Sequence, residues 1–536
     1  MEHSFLTSNT TYILTQDNNL GGSTLHIPAD CTIIYQGGKF SNGTIVFHHT
    51  FLSGYIVNEN IVIGDGSTIA NDHIATSWFF PDENIDSDSF NTLVDALCSG
   101  TTLHFDRDYI LDTCASSDKF NNDGIKVASG VTYQGHGHEI CYGSASNIFL
   151  AVSVDSTTLH HFIIKDFIIK RPTSDIEHIE NNASSIHIRC ASFGIIENCQ
   201  FVRWKGKAAI HLHNYYDYSH SYGEKIDPLS NNDITIRNCS FIGKVKTGIV
   251  NGNDVFTPYN SGNALNVISG KNIFISHCQF YDVMREEELV IWPGAIDIET
   301  DEKCAFIDNI RVSDCYFKRC GRLAPISVAG MTDDQMQPDE LYGMGGNVFI
   351  DNVVIDECTS AISIRHGKPC DRIIINNMKA HNVTKVMCLA HISTDVFIKN
   401  SSFYNDPDFE PVFPAEYKFD NVIEYVDGTV VISDNTFDHI TTNEDLAGWG
   451  SVCMLINGKD VIIENNTFIH CYDYNGSTST FALYTTNSSH TFVFDNLVYR
   501  NNLHRTEVGT ISGLASSLSP SRGSFIRWEN NAFIIN

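Results

Sequence analysis

Long apolar runs are missing from this chain of 536 residues, although hydrophobic residues make up 42% of it. No run approaches the roughly 20 residues that cross a bilayer. Basic residues are also few, because 34 Lys and Arg stand against 64 Asp and Glu, for a net charge of -30. That charge would repel a phosphate backbone, so we expect no nucleic acid as partner. Because no apolar run is long enough to span a bilayer, we expect no membrane partner either. It also disfavours a polyanionic substrate unless local basic residues offset it.

A secretory signal is absent from the first residues, Met1 to Phe5, which form neither a basic nor an apolar region. We therefore expect a protein that stays in the cytosol, leaves it by lysis or a non-classical route, or has lost a leader segment. Dinucleotide-binding and phosphate-binding fingerprints are also missing. No cofactor and no metal ion is expected from the motifs.

The chain has no CxxC pair of the kind that holds zinc, although it contains 16 Cys. Many of these cysteines occupy one slot of a recurring phrase. Equivalent slots of stacked strands lie about 4.8 Å apart. A free Cys behaves as a small buried hydrophobe, so the slot predicts an interior ladder of reduced thiols rather than disulfides. The cysteines in this slot are Cys199, Cys239, Cys278 and Cys315, with Cys358 one position out of phase.

The recurring phrase is an aliphatic pair one residue apart, then Asn or Asp, a small residue and Phe. Repetition every 20 to 45 residues or so is typical of stacked structural units. Within the phrase, aliphatic and polar residues alternate as in a strand, and no helical segments lie between copies. The pattern predicts an all-β chain folded as a parallel β-helix. Copies begin at Ile234, Ile273, Ile310, Val396, Val430 and Val461.

Three regions are predicted along the chain. Residues 1–80 form a β-rich segment, either an attachment region or the first coils. Residues 81–124 hold one amphipathic helix that caps the core, followed by entry strands; Phe90, Leu93, Val94 and Leu97 share its apolar face. Residues 125–536 form the β-helix with loop insertions.

The helix and the segment from Gly100 to Phe105, followed by Val131 to Gly137, resemble the entry to the pectate-lyase-like superfamily of right-handed parallel β-helices. Asp106 to Asp108 replace the Pro and Gly that usually precede the Tyr there. The segment from Gly37 to Ile45 resembles β-helical tail proteins of Bacteroidetes phages. The resemblance implies a right-handed β-helix of the tailspike kind, assembled as a homotrimer.

A second recurrent strand, small-Ile-x-Ile-x, lies just upstream of the next phrase. Because side chains alternate in a strand, its x positions point away from the aliphatic interior, and we expect them at the surface. In later coils the same strand is apolar, so the polar strip is local, as a binding site would be. The strip has one row of His187, His211, Asn266, Asp297, Ser327 and Ser363, and a second of Arg189, His213, Ile268, Glu299, Ala329 and Arg365.

Asp297 and Glu299 are the predicted catalytic pair. Two residues apart on one strand face, their Cα atoms lie roughly 6.5 Å apart, which suits the carboxylates of a glycosidase. His211 and His213 are the alternative bases. Arg189, Asn266 and Arg365 are predicted to bind substrate, with each arginine more than one coil from Asp297. The competing interpretation is that Asp297 and Glu299 are surface carboxylates without a function, as expected in so acidic a chain.

Aromatic residues in long insertions flank the strip, and rings with an apolar face and a polar edge suit sugars. They could equally pack against a neighbouring subunit. The predicted sugar-binding residues here are Tyr215, Tyr216, Tyr218, Tyr259 and Trp292.

These features favour a phage tail spike that binds, and is expected to cleave, a bacterial surface polysaccharide by hydrolysis. It would be made in the host cytoplasm and carried on the virion, with other tail proteins as partners at its N-terminus. The alternatives are a secreted or periplasmic bacterial lyase or glycosidase of this fold, and a non-catalytic spike.

Overall fold

The protein is a right-handed parallel β-helix, and the repeated phrase predicts its parallel coils. The residues that the structure describes include one α-helix. The structure is a computed structural model, and it folds into two compact units: residues 1–211 with 232–240, and residues 212–231 with 241–536. It describes residues 7–112, 124–145, 147–152, 159–171, 184–204, 206–213, 231–244, 246–250, 253–256, 262–283, 294–300, 307–321, 324–330, 346–383, 385–409, 422–440, 455–471, 486–487, 490–491, 496–506 and 525–535.

In the first unit, short strands pair in parallel with the strand one coil further along the chain. This holds from the N-terminal segment onwards, where Thr11 is in register with Thr32, and Thr32 with Phe51. The strands are Thr11–Leu14, Asn18–Asn19, Thr24–His26, Thr32–Tyr35, Phe40–Val46, Phe51–Gly54, Glu59–Ile63, His73–Ala75, Asn84–Asp86, Thr102–His104, Tyr109–Asp112, Ile125–Lys126, Thr132–Gln134, Glu139–Tyr142, Phe149–Val152, Leu159–His160, Ile163–Lys165, Ile168–Lys170, Ser184–Arg189, Ala191–Ser192, Ile195–Glu197, Gln200–Val202 and Asn232–Arg237.

The predicted helix is present as α1, Ser87–Asp95, after a 3-10 turn at Thr76–Trp78. Asp86 caps it, because its carboxylate accepts a hydrogen bond of 2.9 Å from the Ser89 amide. The ring of Phe90 is fully buried and stacks with Phe105 at 5.5 Å between centroids. The apolar face therefore closes part of the core, as its spacing predicts.

In the second unit, the strands form three parallel ladders. The first ladder is Asn263–Val267, Ile296–Glu299, Ile326–Ala329, Ser360–Gly367, Lys385–Ile392 and the start of Val422–Ser433. The second ladder is Gly270–Ser276, Ile307–Ser313, Asn347–Asp351, Arg372–Asn376, Asp395–Lys399 and the end of Val422–Ser433, continuing through Leu455–Glu464, Asn496–Arg500 and Phe525–Glu529. The third is Gln279–Tyr281, Tyr316–Lys318, Val354–Asp356, Lys379–His381, Ser402–Tyr404, Thr436–Asp438, Thr467–Ile469, Leu503–Thr506 and Ala532–Ile535.

Four further strands form two antiparallel hairpins, Lys246–Val250 with Asn253–Phe256 and Thr486–Asn487 with His490–Thr491. Strands Ala208–His213 and Ser240–Ile242 each begin in the first unit and end in the second. In the part of the chain that the structure describes, no helix is long and apolar enough to cross a membrane.

The repeated phrase makes the same corner in each coil. Its Asn or Asp adopts a left-handed backbone, with φ of 53° at Asn238, 54° at Asp314 and 57° at Asn465. Asn and Asp tolerate that conformation best among residues other than Gly, which explains why they recur. The Phe that ends the phrase stacks on its equivalent, with centroids 4.6 Å apart for Phe280 and Phe317.

The cysteine slot is buried, as predicted. Each thiol donates to the backbone carbonyl two residues earlier, at 3.2 Å from Cys315 Sγ to Ser313 O, for example. All five slot cysteines are free thiols, and each side chain is at most 2% exposed: Cys199, Cys239, Cys278, Cys315 and Cys358.

Candidate active site

Four polar side chains of the first ladder lie in register across adjacent strands, and we call them the polar row. Each is directly opposite the next, and none is more than 1% exposed. The expectation of a surface strip is therefore wrong for these residues. Alternation in a strand fixes the face on which a side chain lies, but not what else packs on that face. The polar row is Asn266, Asp297, Ser327 and Ser363.

Asp297 is completely buried on the strand face opposite to the aliphatic interior. Its Oδ2 accepts a hydrogen bond of 3.0 Å from Nδ2 of Asn263, at the start of the neighbouring strand. Asp is almost never fully buried unless it is paired or hydrogen-bonded. Asp297 is therefore not a solvent-facing carboxylate.

The neighbours of Asp297 in the polar row carry hydrogen-bonding atoms that the described residues do not satisfy. Both amide atoms of Asn266 and the hydroxyls of Ser327 and Ser363 are buried without a partner in that part of the structure. Buried polar atoms of this kind are rare in folded proteins, and each calls for an explanation. They offer donors and acceptors on both sides of the carboxylate.

Glu299, Ala329 and Arg365 form a second row beside the polar row. Glu299 and Arg365 are half-buried and stand two strands apart, with Ala329 in register between them. Burial lowers the pKa of the Arg365 guanidinium, while interactions with Cys388, Asp297 and Glu299 act in the opposite direction. Arg365 lies more than one coil from Asp297, as predicted, and both carboxylates still act on its pKa.

The predicted histidines and Arg189 are divided between the two units. His211 is in the first unit, 4% exposed, with its ring 5.1 Å from that of His187. Arg189 is half-buried in the same unit, in register with Val152. His213 belongs to the second unit and is half-buried.

The aromatic insertions lie outside the described residues, and so do the five side chains predicted there. These are Tyr215, Tyr216, Tyr218, Tyr259 and Trp292. Among the residues that the structure does describe, no three or more His, Cys, Asp or Glu side chains are placed to hold a metal ion.

Asn263 is the site residue that the sequence pattern missed. Asn263 stands two positions before the core residue Leu265 in the same strand, so alternation assigns both side chains to the interior face. It stands at the first position of its strand, where the chain leaves the preceding turn, and its amide reaches Asp297 instead.

No family model matches the sequence, and no curated protein matches it significantly. Solved structures similar to it include a variant of the tailspike protein of E. coli bacteriophage HK620 in complex with a pentasaccharide. That match has 11% identity, covers 84% of this chain and 75% of the other, and has a TM-score of 0.44. Another is the DFA-IIIase of Arthrobacter chlorophenolicus A6 in complex with GF2, at 12% identity, 86% and 98% coverage and a TM-score of 0.44. By its own ladders the chain has the fold predicted from its resemblance to the pectate-lyase-like superfamily.

Proposed function

We propose that the protein binds a bacterial surface polysaccharide and cleaves it by glycoside hydrolysis at Asp297 and Glu299. The observation that carries the proposal is the burial of Asp297 within a row of polar side chains on the outer face of the first ladder. Ordinary surface carboxylates would be solvated, whereas a buried carboxylate flanked by unsatisfied polar atoms is typical of a ligand site.

Hydrolysis needs two carboxyl groups on either side of the scissile bond. One donates its proton to the glycosidic oxygen as the bond to the anomeric carbon breaks. The other either attacks that carbon or removes a proton from the water that does. Asp297 and Glu299 point to the same face of one strand. Asn266, Ser327 and Ser363 would donate to or accept from the sugar hydroxyls.

Elimination is the second candidate, because Arg365 is a cation in the same row as Glu299. A lyase needs a cation to stabilise the enolate of a uronic acid and a base to remove its C5 proton. In that reaction Arg365 would neutralise the sugar carboxylate, and His211 or His213 would be the candidate base. Two carboxylates beside the substrate would oppose a developing enolate, so hydrolysis agrees better with the arrangement.

As to its biological setting, we propose a homotrimeric tail spike carried on a phage virion, with the N-terminal segment contacting other tail proteins. The resemblance of the segment from Gly37 to Ile45 supports this assignment. Light scattering coupled to size-exclusion chromatography should give the mass of a trimer. A monomer at micromolar concentration would contradict the virion assignment.

The activity is tested by incubating the protein with panels of capsular and plant polysaccharides and analysing the products by mass spectrometry. Hydrolysis adds one water for each bond that is cleaved and leaves reducing ends. Products that lack this water and carry an unsaturated uronic acid would establish elimination instead. Intact polymer from every capsule in the panel would contradict the proposed enzyme.

A further inference from the structure

A groove with a volume of about 550 Å³ lies on the outer face of the second ladder, away from the polar row. Its lining comes from five successive strands, Gly270–Ser276 to Asp395–Lys399. Five strands at about 4.8 Å spacing span roughly 19 Å from first to last. The groove therefore has room for a few sugar units end to end.

Three of the four residues along the floor of the groove are apolar. Phe274, Arg311, Phe349 and Ile374 follow one another in register, one from each of four neighbouring strands. Phe274, Phe349 and Ile374 are half-buried, so each still presents part of its surface to the groove. These residues occupy positions of the repeated phrase where a polar residue is expected to face solvent.

Cations lie over two aromatic rings at this face. The guanidinium carbon of Arg311 is 4.6 Å from the centroid of Phe349, and Nζ of Lys399 is 5.4 Å from that of Phe397. Stacking of this kind holds a cation and a ring together. The lining contains two cations, Arg311 and Lys399, and two anions, Asp314 and Asp351. The groove therefore has no net charge, in a chain whose net charge is -30.

A line of polar side chains runs beside the floor of the groove, and hydrogen bonds orient the amide of Asn376 within it. Nδ2 of Asn376 donates to Asp351 Oδ1 at 2.9 Å, while Oδ1 of Asn376 accepts from Asn400 at 2.8 Å. Ser276 and Ser313 continue this line on the preceding strands. An apolar floor with hydroxyl, amide and carboxylate groups along one side matches a pyranose ring, which has an apolar face and hydroxyls at its edge.

We propose that this groove is a second, non-catalytic binding site for a neutral stretch of a polysaccharide chain. The absence of net charge favours a neutral glycan over a uronate-rich one. The concave shape and the volume of about 550 Å³ suit a ligand. The ligand class rests on the proposed function, but binding in the groove does not depend on catalysis.

The test measures binding to an immobilised panel of short neutral oligosaccharides, fragments of mannan, rhamnan, cellulose and inulin, with matched uronate fragments. Ser313→Trp fills the groove without deleting a buried group, and Phe349→Ala removes part of its floor. The matched control is Phe51→Ala, which removes a ring that is 45% exposed in the first unit. Far-ultraviolet circular dichroism confirms that each variant folds.

We expect the wild type and Phe51→Ala to bind the same neutral fragment, and both groove variants to bind it about ten-fold more weakly. Turnover of a short substrate should be unchanged in the groove variants, so loss of binding here is distinguishable from failure of the proposed enzyme. The proposal would be overturned if Ser313→Trp bound the neutral fragment as tightly as the wild type does. It would also be overturned if the wild type bound only uronate fragments, or bound no fragment at all. Dissociation of an oligomer by Ser313→Trp would instead identify the groove as an interface between copies.

Discussion

Nδ2 of Asn263 donates a hydrogen bond of 3.0 Å to Oδ2 of Asp297, and the carboxylate that receives it is completely buried. The bond joins two adjacent strands and restricts the orientation of the carboxylate. Asn263→Ala removes the donor and leaves a buried acceptor with one partner fewer, at a cost of about 1–3 kcal/mol in the free energy of unfolding. Because the reacting group loses its orientation, kcat should fall while KM changes little.

The control for this prediction is Asn352→Gly, which removes an amide that donates to Asp314 at an exposed position of the same unit. Gly tolerates the left-handed backbone at this position, where φ is 55°, so kcat should stay unchanged. Equal kcat values for Asn263→Ala and Asn352→Gly would show that Asn263 does not position Asp297.

Arg365→Gln separates the two candidate reactions. In hydrolysis the guanidinium is near the carboxylates but transfers no proton, so we expect turnover to fall by less than about ten-fold. In elimination it stabilises the enolate, and its removal should cost about 100- to 1,000-fold. Steady-state kinetics with the cleaved polysaccharide distinguishes these results. Arg372→Gln, an exposed arginine of the second ladder, is the matched control.

His504 should make the second unit less stable in mild acid. It occupies the slot of the repeated Phe, stacks on Phe468 at 4.9 Å, and its Nε2 lies 2.6 Å from the Tyr499 hydroxyl. Burial lowers its pKa from 6.5 to about 4. Because the folded-state value lies below the unfolded one, the associated stability is present above pH 6.5 and is lost as the pH falls towards 4. The loss amounts to about 3 kcal/mol.

His504→Phe is the matched variant, since Phe fills this slot in the preceding coils at Phe437 and Phe468. Urea unfolding at pH 7 and pH 4.5 should show a smaller loss of stability on acidification in the variant than in the wild type. The same loss in both proteins would exclude His504 as its source.

The cysteine ladder should resist alkylation in the native protein. Interaction with Cys278 and burial raise the pKa of the Cys315 thiol, and burial raises that of Cys370 to about 12. The thiolate is the reactive form, so buried thiols with raised pKa values react slowly. Peptide mapping after treatment with iodoacetamide should find Cys278, Cys315 and Cys370 modified only after denaturation. Rapid native labelling of Cys278 and Cys315 would contradict the buried ladder, and rapid labelling of Cys370 would contradict its raised pKa.

The coil itself could be predicted from the sequence, because a corner that requires a left-handed residue repeats with its Asn or Asp. Asn238, Asp314 and Asn465 mark three such corners, and the aliphatic residues before them form the interior strands. The register of Asn266, Asp297 and Ser327 followed from aligning the strands just upstream. Local patterns carry this information because every coil repeats it.

Burial of Asp297 could not be predicted in this way, since it depends on what packs on the outer face of its strand. The groove of the second ladder was missed for a different reason. Polar residues were expected at every outward position of the repeated phrase, yet Phe274 and Phe349 occupy two of them. That departure from the pattern was visible in the sequence.

The most direct test of the account compares the turnover of Asp297→Asn and Glu299→Gln with that of the control Asp308→Asn. In the wild type, the Asp308 carboxylate lies 3.7 Å from Lys271 on the second ladder. Asn at position 297 can still accept from Asn263, so circular dichroism and oligomeric state should stay unchanged. We predict that each site variant loses about 100- to 10,000-fold in turnover, that Asp308→Asn keeps wild-type activity, and that the products do not absorb as unsaturated uronic acids. Wild-type turnover in both site variants, or products with that absorbance, would contradict hydrolysis by this pair.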